Sequence, residues 1–302
     1  MGTLLMTGAS RGLGRAAAER LLRTQPDQHL LLLVRGTNGH RLAAELAERT
    51  GNRKVSAVPC DLASLADVRA AVTEIERQLD AGELPALDGF LGNAGLQLTS
   101  TTRSTAEGFE VTFGVNVLAN YLLLRLLAGR FVAPARIVVV GSDAHFGDLR
   151  HNLVLVPAPH WTSVTELTTP RPGGVRDGRR AYATSKLGVL YLVHALARRL
   201  PEGVDIYTYN PGFVPGTGLA RDADPVSRLA MRTVMHAMRA TPIGMGPEAA
   251  GVLLADTFTG PRPGDSGSYV DRGKVAPSSA ESYDETREEE LWAAAAKLCD
   301  LD

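Results

Sequence analysis

Short, wholly apolar runs alternate along this chain with longer stretches in which apolar residues recur at helical spacing. Leu4–Thr7, Leu30–Val34, Val55–Val58, Leu87–Leu91, Ile137–Val140 and Val204–Tyr209 read as strands. Leu30–Val34 is apolar throughout, as a strand buried on both faces must be. Helices are expected over roughly 13–24, near 38–49, 64–80 and 107–130, and over a stretch that carries Tyr182 to about Leu200. This alternation argues for an α/β fold, a doubly wound parallel sheet of about seven strands with helices on both faces and Gly267–Val270 as the last strand. Neither a repeat nor a break in composition divides the chain, so residues 1–302 read as one domain.

Two regions leave this rhythm. Residues 143–180 hold several prolines and glycines with little periodicity and are expected to form a long connection. Residues 213–247 become methionine-rich, with Met231, Met235 and Met238 spaced for one helical face. That face is either ordinary core or an adaptable apolar wall over a substrate, which makes the segment a candidate lid. A final helix is expected over 282–299, opened by Ser282-x-x-Glu285 as a capping box.

Composition narrows the partners. A net charge of −1 gives no electrostatic reason to expect nucleic acid or an anionic membrane. No run is read as approaching the ~20 apolar residues of a membrane span. Thr3–Met6 passes straight into a glycine loop, so no signal peptide is read. The two cysteines, Cys60 and Cys299, cannot make a disulfide framework and suggest a reducing, cytoplasmic setting. Arginine far outnumbers lysine, as in a GC-rich bacterial gene. Monomer and homo-oligomer are both open.

The candidate chemistry centres on Tyr182 and Lys186, which positions i and i+4 of a helix place on one face. A phenol beside a fixed ammonium can exchange a proton near neutral pH; the plain alternative is an amphipathic helix with a surface lysine. Thr7-Gly8-Ala9-Ser10-Arg11-Gly12-Leu13-Gly14 turns the first strand into the first helix, where a pyrophosphate is favoured. Arg35 ends the second strand, where an arginine accommodates the 2′-phosphate of NADP(H), and Arg11 offers a second guanidinium. Asp61-Leu62 follows the third strand, where the Asp can meet an adenine amine or make an N-cap or turn. Asn93-Ala94-Gly95 ends the fourth strand, its small residues admitting a ribose and Asn93 able to lock the turn. Asn116 lies in an apolar helix with little use for an amide, unless it stabilises a kink. Ser142 and Pro211-Gly212 lie at carboxyl ends of strands, where open α/β sheets place ligands. His145, His151 and His160 lack tight ligand spacing, so no metal site is expected; Cys60 reads as a buried small residue. Trp161 and Phe146 either line a pocket or pin their loop.

Taken together, the glycine loop, Asn93-Ala94-Gly95, Asn116, Ser142, Tyr182/Lys186 and Pro211-Gly212 resemble the short-chain dehydrogenase/reductase family in order and spacing over residues 3–270. The resemblance implies a Rossmann fold binding NADP(H) and a tetrad of Asn116, Ser142, Tyr182 and Lys186. In it Ser142 positions a carbonyl and Tyr182 gives or takes the hydroxyl proton. Lys186 binds the nicotinamide ribose and lowers the tyrosine pKa, and Asn116 holds a water in the proton relay. Gly8, Ser10, Arg11, Gly12, Leu13, Gly14, Arg35, Asp61, Leu62, Asn93, Ala94, Gly95, Tyr182, Lys186, Pro211, Gly212, Val214 and Thr217 would contact the cofactor. Tyr209–Leu219, Gly-Ser-Tyr-Val near 267–270 and Glu289-Glu290-Leu291-Trp292 are similar to the branch of protochlorophyllide reductases and retinol dehydrogenases. Phe213 stands where the photoenzymes carry a cysteine, and the N-terminal anchor usual in animal retinoid enzymes is missing. The expected activity is NADPH-dependent reduction of a ketone or aldehyde on a bulky, mostly apolar small molecule, in bacterial secondary metabolism. The rivals are C=C reduction of a pigment-like substrate and an NADP-sensing protein without activity; sensors of this kind typically lose the tyrosine or the lysine.

Overall fold

Every residue of β1 (Thr3–Thr7) is buried, as a short apolar strand covered on both faces requires. The computed structural model describes residues 2–152, 156–214 and 245–301. The other strands are β2 (His29–Val34), β3 (Val55–Pro59), β4 (Leu87–Gly92), β5 (Phe131–Val140), β6 (Val204–Asn210), β7 (Tyr269–Asp271) and β8 (Lys274–Ala276). They form one sheet in the order β3-β2-β1-β4-β5-β6-β7-β8, parallel except for the last pair. Alternate side chains feed two cores: Leu5, Leu31 and Ile137 point to one, and Leu4, Met6, Leu32 and Val138 to the other.

Helices α1 (Gly12–Thr24) and α2 (Gly39–Thr50) cover the second core, and α3 (Leu65–Asp80) covers the first. Also on the first face, α4 (Val111–Phe113) passes through a π turn at Gly114–Leu118 into α5 (Ala119–Leu127). The short α6 (Leu149–Asn152) and α7 (Val164–Leu167) precede α8 (Val175–Ala197), whose apolar stretch packs into that first core. On the second face α9 (Pro247–Thr259) lies along α1; on the first, α10 (Glu285–Leu298) is tied to α8 by Glu288, which meets His194 at 3.0 Å and Arg198 at 2.5 Å.

The structure corrects four expectations. There are eight strands among the described residues, because a two-residue turn at Arg272 (φ 48°) and Gly273 (φ 85°) folds β8 back on β7. Both central residues have positive φ, the backbone of a tight hairpin turn, but β8 is only three residues long and leaves little pattern to read. The connection is shorter than 143–180 and not structureless: α6 and α7 interrupt it, and α8 starts at Val175, where the Asp177 carboxylate accepts the Gly174 N–H at 2.9 Å. The last helix starts at Glu285 with Asp284 as its cap, accepting from the Arg287 N–H at 3.2 Å. Ser282 is not that cap; it is buried in a 3-10 turn and donates to the Ser279 carbonyl at 2.7 Å. Finally, Val111–Arg130 is 20 residues long with a mean hydropathy of 1.5, long and apolar enough to cross a membrane. In this fold 83% of that window is buried, so its apolarity serves the core.

The methionine triad at 231, 235 and 238, Thr217 and most of the expected lid lie outside the described residues. On either side of residues 215–244 the chain is stapled, the Met245 N–H donating to the Phe213 carbonyl at 3.1 Å. From there α9 runs against α1 so closely that a Cβ on Gly251 would stand 2.6 Å from the Leu13 carbonyl oxygen and 2.8 Å from the Ala17 nitrogen. Backbone cannot give way as a side-chain tip can. Gly251→Val is therefore expected to lower unfolding stability by about 1–3 kcal/mol, measured by urea denaturation, while a Gly246→Ala control, where a Cβ meets open space, stays near wild type.

Candidate active site

The apolar face of α8 draws Tyr182 and Lys186 inward with it, to 6% and 5% exposure. They lie one turn apart, the Lys186 Nζ 5.7 Å from the centroid of the phenol ring. Lys186 donates to the Val140 carbonyl at 2.8 Å, the last residue of β5. Burial without a counter-charge holds its pKa down at about 8. Burial also raises Tyr182 above its ordinary value, against a hydrogen bond with Ser142 that pulls it down, and the Asp143 charge adds to the rise. The expected lowering of the phenol by Lys186 is thus not what this arrangement shows: desolvation is the largest influence.

Ser142 leaves β5 in extended conformation, and its Oγ accepts the Ala144 N–H at 3.2 Å. Asn116 sits in the π turn, almost fully buried, where its amide imitates a strand partner: Oδ1 accepts the Leu96 N–H at 2.9 Å and Nδ2 donates to the Leu96 carbonyl at 3.0 Å. Nδ2 also donates to Ser185 Oγ at 2.9 Å, and that hydroxyl donates to the Tyr182 carbonyl at 2.7 Å. Both amide hydrogens are committed, so holding a water would fall to carbonyl oxygens of Asn116. A Cβ built on Gly95 would lie 3.2 Å from Asn116 Oδ1 and 3.5 Å from Lys186 Nζ, so these three residues meet at one point. All four tetrad positions converge. Ser185, which sequence reasoning passed over, joins two of them; its only signal was a small hydroxyl between the tyrosine and the lysine.

The glycine loop lies against the end of β4. Asn93 Nδ2 donates to the Gly8 carbonyl at 3.0 Å, and the Ala94 N–H donates to Thr7 Oγ1 at 3.0 Å, so Asn93 does lock the turn. Gly8 (φ 73°) and Gly14 leave no room for a side chain: a Cβ on Gly14 would be 2.2 Å from the Gly8 oxygen. Gly12 (φ 55°) faces open space, and no side chain caps the N-terminus of α1. Unclaimed helix N–H groups over a side-chain-free floor suit a phosphate. Leu13 is buried in the core, so only its backbone can take part, whereas Ser10 and Arg11 are exposed. Arg35 is likewise exposed, and neither guanidinium has a hydrogen bond or ion pair among the described residues.

Other expected residues are placed more plainly. The Asp61 carboxylate accepts the Ala63 N–H at 3.0 Å, a turn rather than a helix cap, which Ser64 supplies; Leu62 packs on the core. Gly212 has φ 70° after Pro211, and Val214 packs against the second core. Cys60 is buried, its thiol pushed up to about 12 by burial and by Asp67. Trp161 stands edge-on to Tyr191 at 4.7 Å, and Phe146 stacks on His151 at 3.8 Å, so both pin their loop.

The family described as short chain dehydrogenase matches residues 2–153. Protochlorophyllide reductase B of rice (Oryza sativa subsp. japonica) is 31% identical, covering 99% of this chain and 78% of its own. Dehydrogenase/reductase SDR family member 13 of Bos taurus is also 31% identical, with 99% and 73% covered. Among solved structures, the NADPH-bound carbonyl reductase from chicken fatty liver superposes with a TM-score of 0.64 at 18% identity, covering 91% of this chain and 98% of that one. A short chain dehydrogenase from Burkholderia cenocepacia J2315 in complex with NADP gives 0.63 at 23% identity, with 90% and 96% covered. A buried tyrosine and lysine stand by the end of β5 and a glycine loop follows β1, and the chain belongs to the short-chain dehydrogenase family of oxidoreductases.

Proposed function

We propose that this protein is an NADPH-dependent reductase of a ketone or aldehyde on a bulky, mostly apolar molecule. The observation that carries the reading is the buried Tyr182 phenol, hydrogen-bonded to Ser142, with the Lys186 ammonium beneath it. The side-chain-free floor at Gly8 and Gly14 and the uncapped start of α1 fit a dinucleotide pyrophosphate, and Arg11 and Arg35 are free to meet a 2′-phosphate. NADPH and NADP are named with the carbonyl reductase and the Burkholderia neighbour, which supports that choice. A nicotinamide bound there supplies the hydride to the carbonyl carbon. Ser142 orients the carbonyl oxygen by hydrogen bonding, and Tyr182 gives it a proton as charge develops. Lys186, held by the Val140 carbonyl, keeps a positive charge beside the phenolate that results. Two buried, unpaired thiols are in keeping with a reducing cytoplasmic setting.

A second reading, C=C reduction of a polycyclic pigment-like substrate, is favoured by the protochlorophyllide reductases of rice and pea among the relatives. The same proton donor would then face a carbon. Turnover that requires illumination would select this reading, and turnover in the dark with a ketone the first.

Two variants test the site. Tyr182→Phe is expected to cut ketone-dependent NADPH consumption by roughly 10²–10⁴-fold with NADPH affinity nearly unchanged, read by steady-state kinetics and fluorescence titration. Retained turnover would remove Tyr182 from the mechanism. Arg35→Asp is expected to weaken NADPH by about 10–100-fold, the worth of a lost charge-assisted hydrogen bond, and NADH far less. Equal weakening of both cofactors means that Arg35 does not touch the 2′-phosphate.

A further inference from the structure

Asp143 follows Ser142 directly and turns inward rather than toward solvent. Its Oδ1 accepts from Asn210 Nδ2 at 2.7 Å and from the Tyr269 hydroxyl at 2.9 Å. The same Asn210 amide donates to Asp271 Oδ1 at 2.9 Å. Three adjacent strand ends therefore meet at one carboxylate: β5 through Asp143 itself, β6 through Asn210 and β7 through Tyr269. Asn210 immediately precedes Pro211-Gly212, so the carboxylate joins the substrate side of the site to the side read as facing the cofactor. The turn after it is held as well. Burial keeps His145 neutral, with its pKa down at about 4; its Nε2 accepts the Ser279 N–H at 3.1 Å, which leaves Nδ1 to donate to the Ser142 carbonyl at 2.7 Å.

We propose that Asp143 is a positioning residue for the reaction assigned above, on which this inference rests: it locks Ser142 to the Asn210-Pro211-Gly212 end of β6 and sets a negative charge against the Tyr182 phenol. Tyr182 meets Ser142 and Asp143 from the end of β5 and Lys186 from its own helix. Asp143 in turn meets Tyr269 and Asp271 from β7, Arg272 from the following turn, Asn210 from β6 and His151 from α6. A negative neighbour disfavours phenolate, so Tyr182 keeps its proton to higher pH, as a donor must. Reduction then declines as pH rises through the phenol pKa, and removing the charge moves that decline to lower pH.

The test compares the pH dependence of NADPH-driven reduction of one polycyclic ketone by wild type, Asp143→Asn and Asp143→Glu, with thermal melting of each. Asp143→Asn is expected to move the alkaline limb down by about one pH unit, the scale on which one neighbouring charge shifts a pKa. It should also lower kcat about tenfold through a loosened Ser142. Asp143→Glu is expected to return the limb to its wild-type position. A limb unmoved in Asp143→Asn, or moved equally in Asp143→Glu, overturns the proposal. Should Asp143→Asn melt far below wild type, Tyr269→Phe decides, since it keeps the charge and removes one clamp: lower kcat with an unmoved limb supports the proposal, and wild-type kcat sinks it. An active Tyr182→Phe would overturn the underlying reading instead, so the two failures are distinct.

Discussion

An ammonium held inside an apolar layer is the constraint around which the rest of this protein is arranged. Desolvating Lys186 costs several kcal/mol unless its hydrogens find acceptors, and among the described residues it donates to the carbonyl of Val140. Val140 is the last β5 residue paired with β6, through Tyr209, so β5 has to stop there. It also means that α8 must run close under the strand ends. Asn116 can reach both Leu96 and Ser185 only because the π turn at Gly114–Leu118 rotates it there. The geometry proposed for catalysis and the accommodation of one buried cation are the same set of contacts.

Most of the fold could be read from the pattern of apolar runs because its central strands are buried on both faces. Leu30–Val34 needs no partner to be recognised as a central strand, and the i, i+4 pair at Tyr182 and Lys186 needs only a helix. What escaped were features whose signal is short or distant. The hairpin strand β8 has three residues and turns on Arg272, not on an Asn-Gly or Asp-Gly pair. The start of α8 hides behind Gly173, Gly174 and Gly178 and a run of arginines. Asp143 has the look of a turn residue, since its partners Asn210 and Tyr269 lie 67 and 126 positions away. Residue type and local spacing carry the chemistry, whereas the contacts that aim it come from strand order.

The most apolar helix shows the same limit of local sequence. The segment Val111–Arg130 is as apolar as a membrane span, yet its surroundings are the sheet, α3 and α8. Apolarity measures how thoroughly a segment leaves water, and says nothing of whether lipid or protein replaces it. Here the central helix is flanked on several sides, and of α5 only Arg125 and Leu126 are not fully buried.

The staple between Met245 and Phe213 separates two jobs that many enzymes entangle. The described chain on either side of residues 215–244 is joined there, backbone to backbone, shortly after β6 and just before α9. Closing a longer loop costs entropy only logarithmically in its length. The number of residues between can therefore change at little cost, while the four positions Asn116, Ser142, Tyr182 and Lys186 stay seated by β5, α8 and the π turn. A descendant of this chain could gain or lose residues there without relearning its chemistry.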